Sequence, residues 1–176
     1  FVVKGAITMT APGMNLANEE IWFVDGYTGS PATGAPIITW STTGGINKVD
    51  ILFDKNSGLN SYNDFVIADD YTLGSPYNWT IPVEANRVTV TTNKARVRVR
   101  DSNDGTVYDN SDTDFFMKPR VIIGSEITAA SVWEVTGNSQ QFTWTTTGAL
   151  SNLNFYNSPN GTTNWYLRDS FAAAAG

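Results

Sequence analysis

ITWSTTGGINKVDILF at 38–53 returns little changed as FTWTTTGALSNLNFY at 142–156. In both, a β-forming stretch passes through a tryptophan into a Ser/Thr triplet, a glycine and a second stretch of alternating character. Trp40 matches Trp144, and Val49, Ile51 and Phe53 match Leu153, Phe155 and the region of Asn157. The match extends upstream. EIWFV at 20–24 answers SVWEV at 131–135, and FVVKG at 1–5 answers FFMKP at 115–119, each of the latter pair leading into an Ile-containing strand. Four blocks in the same order signal an internal repeat rather than a chance match in a Thr-rich chain. The tryptophans stand 18 residues apart in the first copy and 11 in the second, and the extra residues fall in the turn-rich GYTGSPATGAP at 26–36. Loops absorb such insertions at low cost.

The repeat sets the expected domains. Residues 1–5 read as the last strand of a preceding unit or a linker, 6–118 as a complete unit, and 119–176 as the N-terminal part of a second. The period is about 110 residues. The chain opens on Phe1 with no visible leader, so it reads as a mature or excised window onto a longer tandem array.

Composition narrows the class. The 176 residues are 41% hydrophobic, which suits a packed core. A net charge of -6 argues against a nucleic-acid partner, and no apolar run is long enough to span a membrane as a helix. With no Cys and no His, the commonest nucleophile, general base and zinc ligand are missing, and the chain does not read as an enzyme. The apolar runs are short and β-branched or aromatic: 21–24, 37–40, 49–53, 65–68, 88–90, 95–99 and 115–117. Gly, Pro, Asn and Asp punctuate them, which predicts an all-β sandwich or barrel. Within KVDILF, Val49, Ile51 and Phe53 share one face and Asp50 the other. Within ARVRVR, Val97 and Val99 oppose Arg96, Arg98 and Arg100. VTVTT-NK-ARVRV is laid out as a hairpin turning at Asn93-Lys94. The terminal FAAAAG favours helix by propensity.

The blocks IWFV, ITWSTTG, VDILF, YNWTIP, RVRVRD and VYDNSDTDFF, in that order, resemble the immunoglobulin-like domain of fungal cell-wall glucan-synthesis proteins of the killer-toxin-resistance type. They are also similar to a Ser/Thr-rich GPI-anchored family and to repeats of large secreted prokaryotic surface proteins. The resemblance covers about 15–118 and again 127–170. It implies an all-β, immunoglobulin-like antiparallel β-sandwich in tandem repeats, extracellular or at the cell surface, with no catalytic residues to transfer. The long 26–36 loop departs from the pattern.

Candidate sites follow from residue chemistry. Trp40 and Trp144, mid-strand, read as core together with Val49, Ile51, Phe53, Val97 and Val99. Trp22, Trp79 and Trp165 are better placed for exposure, where a ring can stack on a sugar, but core or edge packing is the favoured reading for them as well. Asp101, Asn103, Asp104, Asp109, Asp112 and Asp114 offer hard oxygens that suit calcium, although their spacing is not that of an EF-hand and these are ordinary turn residues. No other cofactor is implied. Arg96, Arg98 and Arg100, with Arg87 and Lys94 nearby, form a stripe that either pairs with neighbouring acids or meets an acidic partner or glycan. Asn78 and Asn160 head N-glycosylation sequons. The carboxylate pairs Glu19–Glu20 and Asp69–Asp70 diverge if their strands alternate strictly. The expected role is a non-catalytic structural module of an extracellular repeat protein or surface fibre (stalk, adhesin or filament), with neighbouring repeats or identical subunits as partners. The alternatives are a carbohydrate-binding or adhesion module that meets cell-wall or surface glycans, and a filament subunit completed by strand exchange, with 1–5 as donor.

Overall fold

The structure, a computed structural model, describes residues 4–12, 21–24, 36–58, 61–62, 65–72, 76–81, 92–124, 142–148, 150, 152–158 and 164–172. All the regular elements among them are strands. The chain divides into two compact units, Phe1–Lys118 and Pro119–Gly176.

The first unit holds β1 (Ala6–Ala11), β2 (Ile21–Phe23), β3 (Ile37–Thr43), β4 (Lys48–Asp54), β5 (Phe65–Thr72), β6 (Tyr77–Asn78), β7 (Thr92–Asp101), β8 (Tyr108–Asn110) and β9 (Phe115–Lys118). One sheet has the order β1-β3-β6. The other runs β2-β9-β7-β4-β5, with β8 on the same edge of β7 further along. Neighbours are antiparallel except β2 and β9, which run parallel. The period-two pattern chooses the inner face: Ile7 and Met9 of β1, Ile38 of β3, Val49, Ile51 and Phe53 of β4, Ala95, Val97 and Val99 of β7, and Phe115 and Met117 of β9 form one buried cluster. Its centre is aromatic. Trp22 lies 4.7 Å from Phe115 and 5.9 Å from Trp79, and Phe53 lies 5.4 Å from Trp79. This is an all-β, sandwich-like unit with one core between two sheets.

One local expectation gives way. Asn93 and Lys94 do not turn a hairpin but lie inside β7. Thr92 Oγ1 donates to Lys55 O, the Lys94 amide donates to Thr92 Oγ1, and the Ser57 amide donates to Lys94 O. Pairing with the loop after β4 outweighs a weak turn signal. The neighbouring run 88–90 lies outside the described residues. Phe171 and Ala172 end the last strand, and residues 173–176 of the alanine tail lie outside the described residues.

The second unit holds β10 (Arg120–Ile123), β11 (Trp144–Thr147), β12 (Asn152–Asn157) and β13 (Tyr166–Ala172), in two antiparallel pairs, β10-β11 and β12-β13. Their registers match those of the first unit. Ala6 faces Thr43 and Met9 faces Trp40; Arg120 faces Thr147 and Ile123 faces Trp144. Lys48 faces Thr72 and Val49 faces Tyr71; Asn152 faces Ala172 and Leu153 faces Phe171. The tryptophan ring meets the aromatic ring of the next sheet in both, Trp40 to Tyr71 at 6.0 Å and Trp144 to Phe171 at 5.9 Å. The glycine that closes the motif has the same positive φ, 84° at Gly44 and 83° at Gly148. That conformation is nearly closed to residues with a Cβ, and a Cβ on Gly44 would also sit 2.8 Å from Gly5 Cα. The motif WSTTG therefore ends a strand for a backbone reason.

Candidate functional site

The outer face of the large sheet carries the arginine stripe. β4 lies between β5 and β7, so even its outward residues Asp50, Leu52 and Asp54 are buried. Arg100 Nε donates to Asp50 Oδ2 at 2.9 Å, and Arg96 donates through Nε to Asp114 Oδ1 at 2.7 Å and through a terminal nitrogen to Ser111 O at 2.9 Å. Arg98 donates to Asn110 Oδ1 at 2.8 Å, and its guanidinium is stacked between the rings of Tyr62 and Tyr108, 3.9 and 4.0 Å from their centroids. Such stacking suits the planar guanidinium, which is weakly hydrated. Tyr62 is held in place from below. Asp54 Oδ1 accepts from the Asn56 amide at 2.8 Å, and Oδ2 accepts from Ser61 at 3.0 Å and Tyr62 at 3.4 Å. Burial pushes the Tyr62 hydroxyl pKa up against the pull of Arg98 and Arg96. Arg96, Arg98 and Arg100 thus each hold a partner within their own unit, and Arg87 lies outside the described residues.

The Asp69–Asp70 pair does not obey strict alternation. β5 pairs Tyr71 with Val49 and then Ala68 with Ile51, so Asp69 and Asp70 together oppose Asp50, and Asp70 takes φ 51°. This bulge gathers three carboxylates. Asp50 Oδ1 accepts from Ser102 Oγ at 2.7 Å and from the Asp70 amide at 3.1 Å, while Lys48 pairs with Asp70 at 3.4 Å. Burial opposes ionisation of Asp50, but Ser102, the Asp70 amide and Arg100 together outweigh it and hold its pKa below the usual value. Asp69 is pushed up, first by its hydrogen bond to Asp50 and then by the charge of Asp50. The signs follow. A carboxyl with a raised folded pKa binds its proton more tightly in the folded state, so stability falls as pH rises from the unfolded value, near 3.8, through the raised one. Asp69→Asn is therefore expected to raise the thermal midpoint of the first unit at pH 7 and to leave it nearly unchanged at pH 3. Thermal melts of both proteins across that range measure it, and an equal shift at both ends would exclude the carboxyl pairing. Glu19–Glu20 lies outside the described residues.

The six calcium candidates are spread over separate tasks. Asp101 Oδ1 accepts from the Asn103 amide, and Asp109 Oδ2 accepts from the Met9 amide and so ties β1 to β8. Asp114 serves Arg96 and Ser57. Asp104 accepts from Lys4 and Thr106, in that order of effect, and its pKa is lowered to about 2. Asp112 and Asn103 are exposed. Among the described residues no group of three or more His, Cys, Asp or Glu could hold a metal ion. Asp101 and Asp109 belong to β7 and β8, and Asn103, Asp104, Asp112 and Asp114 to the connections on either side of β8, where such residues are common.

The tryptophans divide between the core and its margin. Trp22 and Trp79, for which the sequence favours packing in the core or at an edge, are 1% and 4% exposed. Trp40 and Trp144, expected in the core, are half-buried. Trp40, the middle residue of β3, packs against the core rather than within it. Val49, Ile51, Phe53, Val97 and Val99 are buried. Asn78 is exposed, and Asn160 lies outside the described residues.

In the second unit the aromatic residues Phe142, Trp144, Phe155 and Phe171 gather between the two strand pairs. Beside them is an open, mainly apolar hollow of about 580 Å³ lined by Val121, Ile123, Leu153, Asn154, Phe155, Tyr156 and Trp165. Trp165 is 60% exposed. No signal beyond the repeat marks this hollow in the sequence, because the same residue types are buried in the first copy. Among the described residues no helix is long and apolar enough to cross a membrane. No protein-family model, curated protein or solved structure matches the chain.

Proposed function

We propose that the chain is a non-catalytic structural module of an extracellular repeat protein or surface fibre, built from immunoglobulin-like sandwiches in tandem. The carrying observation is the shared register: β10 on β11 and β13 on β12 repeat β1 on β3 and β5 on β4, down to the ring contact and the glycine φ. The sheet orders support the immunoglobulin-like part. β1, β3 and β6 take the places of strands A, B and E, while β4, β7 and β9 take those of C, F and G. The polar face supports a structural role, since its arginines and carboxylates bond to one another rather than lining a cleft. A carbohydrate-binding role would rest on Trp165 and the hollow beside it, but sugars need convergent hydrogen-bond partners, the lining is mainly apolar, and its Asn154 Oδ1 already accepts from Ser170.

The test is protease shaving of intact source cells, followed by blotting with an antibody to residues 92–118. The expected result is a surface-accessible species much heavier than these 176 residues. A species protected inside the cell would reject the extracellular array.

A further inference from the structure

The sequon Asn78-Trp79-Thr80 begins on β6, the strand that ends the small sheet. Burial alternates along it. Trp79 and Ile81 turn inward, 4% and 2% exposed, while Asn78 and Thr80 are exposed on the opposite side. The Trp79 ring packs against Trp22 and Phe53, and its amide donates to Pro36 O at 2.9 Å, so the segment is fixed from beneath. Among the described residues neither the Asn78 amide group nor the Thr80 hydroxyl takes part in a hydrogen bond, so the fold does not use either side chain. The surface beside them is uncharged. Asn78 pairs across the strands with Ile37, which is 41% exposed. Thr39 and Ser41 of β3 and Thr8 and Thr10 of β1 continue the same outer face, with the Thr10 and Thr39 hydroxyls 2.6 Å apart. The outer face of the large sheet carries arginines and carboxylates instead.

We propose that Asn78 carries an N-linked glycan, which lies over the outer face of the β1-β3-β6 sheet. This rests on the reading of the chain as extracellular, since the sequon is an acceptor in secreted proteins. The co-reactant is an oligosaccharide held on a lipid through a phosphoester. The Asn78 side-chain nitrogen bonds to the anomeric carbon of the sugar, and the bond from that carbon to the phosphate oxygen breaks. The lipid phosphate leaves with the electron pair, and the amide gives up one proton. Thr80 makes Asn78 an acceptor, and period two puts its hydroxyl on the same side of the chain as the amide. The folded unit has to accommodate the product, and here it does so without loss of packing or of a hydrogen bond, because Trp79 and Ile81 hold the segment from the other side. The face suits a sugar: a pyranose has an apolar C–H surface that can cover Ile37 and a polar rim that can meet the threonine hydroxyls. Asn160, which heads the other sequon, lies outside the described residues, so the geometry points to Asn78.

The test is mass spectrometry of the protein isolated from its source. Trypsin cuts after Lys55 and Arg87, so the sequon falls on peptide 56–87. That peptide is expected to carry a sugar mass, and electron-transfer fragmentation should place it on Asn78. In the chain expressed with a secretion leader in a glycosylating host, Thr80→Ala should abolish the modification although Asn78 is intact, and Thr80→Ser should retain it. Asn78→Gln should abolish it and leave the thermal midpoint of the enzymatically deglycosylated protein unchanged. Asn78 bare in the source protein overturns the proposal, as does a sugar on Thr80 instead or a modification that survives Thr80→Ala. Cell shaving tests the array separately. A chain found at the surface with Asn78 bare would sink the glycan and leave the extracellular reading standing, whereas a protected chain would reject that reading by itself.

Discussion

Trp22→Ala is expected to destabilise the first unit by about 3–5 kcal/mol, the usual range for deleting a large aromatic from a packed core. The ring is 1% exposed and touches both Trp79 and Phe115, so its loss opens a cavity between the two sheets. It also removes the side chain that seats β2, a strand of three residues, on the core. Domains of this size are stable by roughly 5–15 kcal/mol, so the variant should be partly unfolded near its normal temperature. Urea denaturation followed by circular dichroism decides it. A loss below about 1 kcal/mol would place Trp22 at the surface rather than in the core. The half-buried Trp40 should cost less when truncated in the same way.

Asp54→Ala should cost about 3 kcal/mol or more, since a buried carboxylate that satisfies three backbone amides leaves each of them unpaired when removed. Asp54 is fully buried and binds Asn56 with one oxygen and Ser61 and Tyr62 with the other. Asp54→Asn keeps one acceptor and should fall between wild type and alanine. Amide hydrogen exchange separates this from a general loss of stability: Asn56, Ser61 and Tyr62 should lose protection before the β4–β7 ladder does. Uniform loss across the unit would mean that Asp54 does not anchor the loop.

The all-β character was legible because strand periodicity is local. KVDILF and ARVRVR declare their inner faces by alternation, and the structure buries Val49, Ile51, Phe53, Val97 and Val99. Non-local pairing was not legible. The burial of Trp22 depends on β2 lying beside β9, more than ninety residues later, and no local pattern announces that. The bulge at Asp69–Asp70 breaks the alternation that assigned those side chains to opposite faces. The likeness of β13 to β5 was hidden because FVIADDYT and YLRDSFA share few residues, although backbone pairing aligns Phe171 with Tyr71. The hollow of the second unit had no signature either, since apolar residues look alike whether or not something covers them.

The parallel pairing of β2 with β9 bears on how the first unit would carry tension. Ile21, Trp22 and Phe23 lie beside Phe116, Met117 and Lys118, and the Val24 amide adds a bond to Lys118 O at 3.1 Å. A pull towards the N-terminus on β2 and towards the C-terminus on β9 slides these strands past each other. Their hydrogen bonds are then loaded side by side and must rupture together, whereas a hairpin pulled from its open end unzips one bond at a time. A patch three residues long, seated on Trp22, would then act as a mechanical fuse: intact under modest load, and abrupt in failure.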